Sequence, residues 1–373
     1  MSARTKPPFR ADHVGSLLRP KRLVEARARR EKGEITAEAL TKVEDECILE
    51  IIRRQEDVGL KGITDGEFRR RYWHIDFLAS FTGVSVVEAS INAKFHTKEG
   101  DLEWRPPALR VAGRLSRPRS IMASAFDYVK KNAKQTAKLT IPSPSTMHFR
   151  GGRKAIDDKA YPEMQLFYDE LGRVYAEEVA EIGKLGCTYL QVDEVNLAYL
   201  CDPNLQEQVR GIGEDPKQLP RTYARLINAS VATRAKDMTI CMHLCRGNFQ
   251  SGWVAEGGYD PVAEILFNEI DVDGYFLEYD TERAGTFAPL RFVPKGKTVV
   301  LGLVTSKSGE LETADSLKRR IDEAAKFCPL DQLALSPQCG FSSTLEGNKL
   351  TEDDQWKKLA LCVKVATEVW GGV

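Results

Sequence analysis

"YPEMQLFYDELGRVYAEEVAEIGKLGCTYLQVDE", residues 161–194, decides how this chain is to be read. Its first part, 161–186, is a long amphipathic stretch closing on Gly186, the residue type that most readily ends a helix. The run that follows, "TYLQVDE" 188–194, is short, rich in β-formers and ends in two acids. A helix that passes straight into such a strand is part of a βαβ unit, the element of a parallel sheet. Working outward, the same alternation recurs. Strand candidates are "ADHVGS" 11–16, "GITDGE" 62–67, "LTIPSPS" 139–145, "MTICMHL" 238–244, "GYFLEYD" 274–280, "VVLGLVT" 299–305 and "LALSPQC" 333–339, with further helical stretches at 35–59 and 312–328. With 188–194 these make eight strand-plus-helix units, which predict an α/β chain folded as a closed (β/α)8 (TIM) barrel.

One stretch breaks the rhythm. About 78–120, with "RPPALRVAGRLSRP" 105–118, reads as an extended or hairpin-like insertion before the third strand. No Pro/Gly/Ser-rich linker brackets it, so we expect a single catalytic domain over 1–373 carrying an insertion.

Composition narrows the function. The 54 basic and 54 acidic side chains cancel, so no overall field would hold nucleic acid or an anionic membrane surface, and a small molecule is the expected partner. The opening "MSARTKPPFRADH" has no apolar signal core, and no stretch approaches the roughly 20 apolar residues of a membrane-spanning helix. A soluble, cytoplasmic protein is expected. The eight cysteines are scattered, which in a reducing compartment makes them thiols, mostly fillers, with metal ligands among them.

Polar residues crowd the predicted C-terminal strand ends, where barrel enzymes build their sites. In "CMHLCRGNF" 241–249, His243 and Cys245 are two apart on a strand and so face the same way. That pair alone is a weak signal, since a lone strand His or Cys usually packs. Glu278 and Cys339 end further strands, which we take as consecutive neighbours of the His243 strand around the rim. One imidazole, two thiolates and one carboxylate make a tetrahedral Zn2+ set. A zinc carrying two thiolates is a weak generator of hydroxide, but it can bind an incoming thiol and lower its pKa, which points to alkyl transfer onto sulfur.

With these residues in hand, "HVGS" 13–16, "DGEF" 65–68, "RPPALRVAGRLSRP" 105–118, "QVDE" 191–194, "HLC" 243–245, "LEYD" 277–280 and "SPQCGF" 336–341 resemble, in order, the cobalamin-independent methionine synthase family: its C-terminal catalytic barrel and the short stand-alone relatives of that barrel. The resemblance implies a zinc-dependent thiol alkyltransferase, with homocysteine as the favoured acceptor and a folate or other small methyl donor. It matches His243, Cys245, Glu278 and Cys339 to the zinc ligands, and Gly15 and Ser16 to the turn that holds the amino-acid carboxylate. Glu67 and Asp193 match the acids that grip the ammonium group and serve catalysis, and the stretch 141–146, with Ser145, matches the side facing the donor. A zwitterion entering a dry pocket needs both charges met. Ion pairs to Arg69, Arg70 or Arg71 are the competing role for those two acids.

There are departures. Long members hold the folate polyglutamate tail with a second, N-terminal barrel for which 373 residues leave no room, so a different donor is open. The histidine that supplies a proton in long members is missing from "LVTSKSGELE" 303–312, where Lys307 stands nearest; His74 and His148 are the candidate substitutes. No tryptophan stands in 141–146, where long members place one beneath the pterin. Transfer to another thiol, as in epoxide addition to coenzyme M, a metal-free decarboxylase or lyase on a related barrel, and a structural zinc remain alternatives. Self-association and delivery of the methyl by a separate carrier protein stay open.

Overall fold

The computed structural model describes residues 3–88, 93–105 and 107–373. Its strands in chain order are β1 (Gly62–Ile63), β2 (Thr82–Glu88), β3 (Ala93–Thr97), β4 (Gly100–Trp104), β5 (Pro107–Ser116), β6 (Thr136–Pro142), β7 (Tyr189–Asp193), β8 (Thr239–Leu244), β9 (Gly274–Glu278), β10 (Thr298–Val304) and β11 (Leu333–Pro337). Seven of them form one curled parallel sheet in the order β1-β6-β7-β8-β9-β10-β11, with helices between successive strands. The expected first strand closes the circle as an eighth stave. Ala11 bridges Leu335 in parallel, flanked by Asp12 N donating to Leu335 O (3.0 Å) and Leu335 N donating to Arg10 O (2.9 Å). On its other side His13 Nε2 meets Gly62 O at 3.0 Å and Thr64 Oγ1 donates to Gly15 O at 2.7 Å.

The barrel is thus the expected one, but its first two staves pair over fewer residues than 11–16 and 62–67. Their backbones explain this: Gly15 (φ 136°), Gly66 (φ 63°) and Glu67 (φ 59°) leave the extended region, so side chains complete the closure that a ladder completes elsewhere.

The helices form for reasons visible in the chain. In Ala37–Val58 the Thr36 side chain caps the start by accepting from Ala39 N, Gly59 ends it at φ 101°, and Ile48, Ile51, Ile52 and Gln55 recur on the buried face. Met164–Lys184 buries Phe167, Leu171, Val174, Tyr175, Val179 and Ile182 at the same helical spacing. Glu352–Trp370 opens with a Thr351/Asp354 capping box and three acids in its first turn, and ends at Gly371. Strands β7, β9, β10 and β11 are buried throughout, as parallel strands covered on both faces are.

The insertion comprises two antiparallel pairs, β2 with β5 and the β3–β4 hairpin; residues 89–92 and 106 of the expected span lie outside the described residues. The hairpin is fastened over the C-terminal mouth. His96 N donates to Trp253 O (2.7 Å), Trp253 N to His96 O (2.9 Å), and Lys349 Nζ approaches Glu99 at 3.0 Å.

Inside the barrel, Tyr189, Cys241, Phe276, Val300 and Ala334 pack with Phe9 and Val14 into an apolar floor. Two residues further along each strand the same face carries Gln191, His243, Glu278, Gly302 and Ser336. The period of two therefore sets where chemistry begins. Within this floor, Lys138 and Asp12, both with wholly buried side chains, pair at 3.1 Å, and Tyr189 Oη donates to Asp12 Oδ2 at 2.6 Å.

His13, in this buried group, is held neutral: burial first, then the Lys138 charge, pull its pKa to about 4. An unfolded histidine titrates near 6.5, so between about pH 6.5 and 4 the unfolded chain takes a proton that the folded chain refuses. This group's contribution to stability is complete above that window and is lost as pH falls through it, by up to ~3 kcal/mol. Urea unfolding of wild type and His13→Gln across pH 7 to 4.5 is expected to show the gap between them narrowing with acid; parallel profiles would contradict it.

Candidate metal centre

His243 is the penultimate residue of β8, Cys245 stands just beyond that strand, and Cys339 follows β11 by two residues. The chain brings the three to one point: a ring nitrogen of His243 and the two sulfurs all lie within 4.8 Å of one another, and all three residues are buried. The strands involved are not consecutive, a correction to the expected arrangement. β10 stands between the Glu278 strand and the Cys339 strand, and Cys339 reaches His243 because staves that are not neighbours converge at a narrow barrel mouth.

Both ring nitrogens of His243 are buried without a hydrogen-bond partner, a state that costs free energy unless another group binds there. Imidazole nitrogen with two sulfurs is a zinc-type donor set, so these residues fit the implied metal. Glu278 lies beside the trio but outside the 4.8 Å set. Its Oε1 accepts from Arg283 Nε at 3.0 Å and from Nη2, and its Oε2 accepts from the backbone N of Arg246 at 3.0 Å. Arg283 also pairs with Asp280 at 2.7 Å.

The charges are shared unequally. Contact with the Cys245 sulfur, helped by His243 and Lys307 and opposed by burial, holds Cys339 well below the usual thiol range. Its hydrogen bond and negative charge, together with burial, drive Cys245 well above that range. The two sulfurs are thus driven in opposite directions by their contact, Cys339 toward the thiolate and Cys245 toward the thiol. Burial pushes Glu278 up, but Arg283, Lys307 and Arg246 outweigh it and keep its pKa low.

Above this centre is a cavity, partly open to solvent. Ser16, Glu67 and Asp193 line it, while Gly15 and Ser145 do not. Gly15 acts from behind: a Cβ there would come within 2.7 Å of Glu67 Oε1, so the glycine leaves room for that carboxylate. The Ser145 hydroxyl is taken up by Glu194, Asn196 Nδ2 (2.7 Å) and Ser143 Oγ (3.1 Å). Glu67 accepts from Thr140 Oγ1 at 2.5 Å and pairs with Arg70, the ion pair left open as its competing role. Arg69 is paired instead with Glu44 and Asp45, and Arg71 with Glu31. Asp193 accepts from Gln191 Nε2 at 2.7 Å; burial raises its pKa, against His243 and Arg70.

Of the three candidate proton donors, His74 alone lines the cavity. His148 is turned into the protein, against Tyr223 Oη at 2.9 Å and Glu214 at 3.3 Å. Lys307 Nζ is committed to Gly247 O, Asn248 Oδ1 and Gly252 O at 3.1–3.2 Å.

Sequence reasoning missed the upper wall. The hairpin residues Phe95 and Trp104 meet Phe249, Trp104 stacking on it at 4.4 Å and 11°, with Tyr72 5.7 Å from Trp104. It also missed Arg150 and Tyr199, which line the cavity. The one available signal was the aromatic content of the hairpin, "KFHTKEGDLEW" 94–104.

A parallel barrel with a buried His/Cys/Cys set at its C-terminal mouth places metal-type donors where barrel enzymes build their sites. Residues 9–368 match the profile of the cobalamin-independent synthase catalytic domain, and this chain belongs to that family. It is 44% identical over 369 residues to YxjG of Bacillus subtilis, covering 98% of this chain and 96% of that protein, and 45% identical over 367 residues to YxjH of the same organism, with the same coverage; both are uncharacterized. A crystal structure assigned as a vitamin-B12-independent methionine synthase from Listeria monocytogenes superposes with a TM-score of 0.78 at 36% identity, over 99% of this chain and 100% of that one. Among the described residues no helix is long and apolar enough to cross a membrane.

Proposed function

We propose that this protein is a zinc-dependent S-methyltransferase that converts homocysteine to methionine. The observation that carries the reading is the buried His243/Cys245/Cys339 trio, with an imidazole lacking any other partner, at the floor of a cavity lined by Ser16, Glu67 and Asp193. Zinc bound there would lower the pKa of an incoming thiol and leave its sulfur nucleophilic. We assign Glu278 as the fourth ligand. Arg283 competes for the same carboxylate, which suits a ligand that has to be given up when a thiol arrives. Ser16 and the adjoining turn would take the amino-acid carboxylate, and Asp193, with Glu67 held in place by Thr140 and Arg70, the ammonium group.

In the transfer, the thiolate sulfur attacks the methyl carbon in line. A C–S bond forms, the bond from methyl to the donor heteroatom breaks, and its electron pair leaves with the donor. The aromatic upper wall keeps water from that path. We assign the whole step to the 1–373 chain as one catalytic unit. Relatives named methionine synthases, such as that of Pyrococcus abyssi at 22% identity over 88% of this chain and 84% of that protein, support the same product.

The test is mass spectrometry of zinc-loaded protein given homocysteine with methyl-labelled folate, sulfonium or methylcorrinoid donors. Labelled methionine with at least one donor is expected; failure with all three, at full zinc loading, would count against the reading.

A further inference from the structure

On one wall of the cavity stands Arg150, directly after the short helix Thr146–Phe149 that follows β6. Among the described residues its guanidinium has neither an ion pair nor a hydrogen bond. Its neighbours at the mouth are all engaged: Arg70 with Glu67, Arg283 with Glu278 and Asp280, and Arg246 with Gly257 O (2.6 Å) and Tyr259 Oη (2.9 Å). Arg150 is exposed as a residue, yet protein surrounds its charged end closely enough that burial lowers its pKa, with only the Tyr199 phenol acting against that. It lines the cavity at its solvent-facing side.

Beside it, His74 lines the same cavity, is 4% exposed, and has a buried Nδ1 without a partner. Burial, and then the charges of Arg150 and Arg70, keep this imidazole neutral. A guanidinium with no protein partner and a buried imidazole nitrogen with none line the same partly closed cavity, and each can offer an N–H to a guest there. An oxyanion would satisfy both, because a carboxylate or phosphate accepts two parallel N–H bonds from an arginine. The amino acid of the proposed reaction already has its own partners in Ser16, Glu67 and Asp193.

We infer that Arg150 and His74 form a subsite for an oxyanion carried by the methyl donor, so that the preferred donor is an anionic molecule rather than a neutral or cationic one. The donor role rests on the methyltransferase reading; the oxyanion site does not.

The test therefore has a binding arm and a kinetic arm. Zinc-loaded wild type, Arg150→Met and Arg150→Lys are titrated calorimetrically with glutarate, inorganic phosphate and the uncharged control glutaramide. Wild type is expected to bind glutarate or phosphate and not glutaramide, the stronger of the two anions naming the donor's charged group. Arg150→Met should weaken that anion by about tenfold or more, and Arg150→Lys, which keeps the charge but loses the fork, by less. In methyl transfer Arg150→Met should raise the KM for the donor by a similar factor and leave the KM for homocysteine unchanged. Equal anion binding by wild type and Arg150→Met, or no anion binding by wild type, would overturn the subsite. A KM effect confined to homocysteine would overturn the donor assignment. Absence of methyl transfer with anion binding intact would count against the function and leave the subsite standing.

Discussion

Cys339→Ala is expected to lose bound zinc and methyl transfer together. The substitution removes one of two sulfurs from the trio, leaving one sulfur and one imidazole, too few donors for a firm tetrahedral site. Loss of activity should exceed the ~10–100-fold that removing a supporting hydrogen bond of a metal ligand costs. The fold should survive with a modest packing loss, because Cys339 is a small buried residue that takes no part in the strand ladder. The control is Cys241→Ala, two residues before His243 on the same face of β8 but packed in the floor against Tyr189, Phe276 and Val300. It should cost stability and keep zinc. Metal analysis with thermal melting of both variants separates the outcomes; one zinc per chain in Cys339→Ala would show that the ligand assignment is wrong.

The largest stability effect is expected from Asp12→Ala. Asp12 accepts from Lys138 Nζ (3.1 Å), Tyr189 Oη (2.6 Å) and the backbone N of Phe9 (3.1 Å) and His13 (2.8 Å), all buried. Lys138 Nζ also sits 4.1 Å from the ring centre of Phe276 and 4.8 Å from that of Tyr189, with no route to solvent. Removing the carboxylate leaves a buried ammonium without its counter-charge, a change that costs about 3–5 kcal/mol. The double variant Asp12→Leu/Lys138→Met should recover much of that loss, since a well-packed apolar pair often replaces a buried ion pair without penalty. Urea midpoints check both. A single-variant loss below about 1 kcal/mol would mean that water reaches Lys138.

These two sites mark the limits of what the chain discloses before it folds. The unit at 161–194 was legible because local rules agree there: the helical stripe of Phe167, Leu171, Val174 and Ile182, the turn at Gly186 and the buried run of β7 all follow from short-range periodicity. His243 and Cys245 were legible for the same reason, being two apart on one strand. Their meeting with Cys339 rested on the barrel as a whole, and the expected order of strands around the rim missed β10. The short staves at 11–16 and 62–67 were overestimated because Asp12, His13 and Thr64 look like strand residues but spend their side chains on closure. Arg150 carried no local signal, for its importance lies in what it fails to meet. Trp104 and Phe249 come from segments more than a hundred residues apart, brought together by the fastening of the hairpin to Trp253 and Lys349.

The most direct measurement of the central claim is zinc K-edge X-ray absorption of the loaded protein, before and after homocysteine is added. The account predicts a first shell with one imidazole nitrogen, two sulfurs and one oxygen that becomes a shell with three sulfurs as the substrate thiol replaces Glu278. A shell that holds two sulfurs throughout, or none at the start, would contradict it.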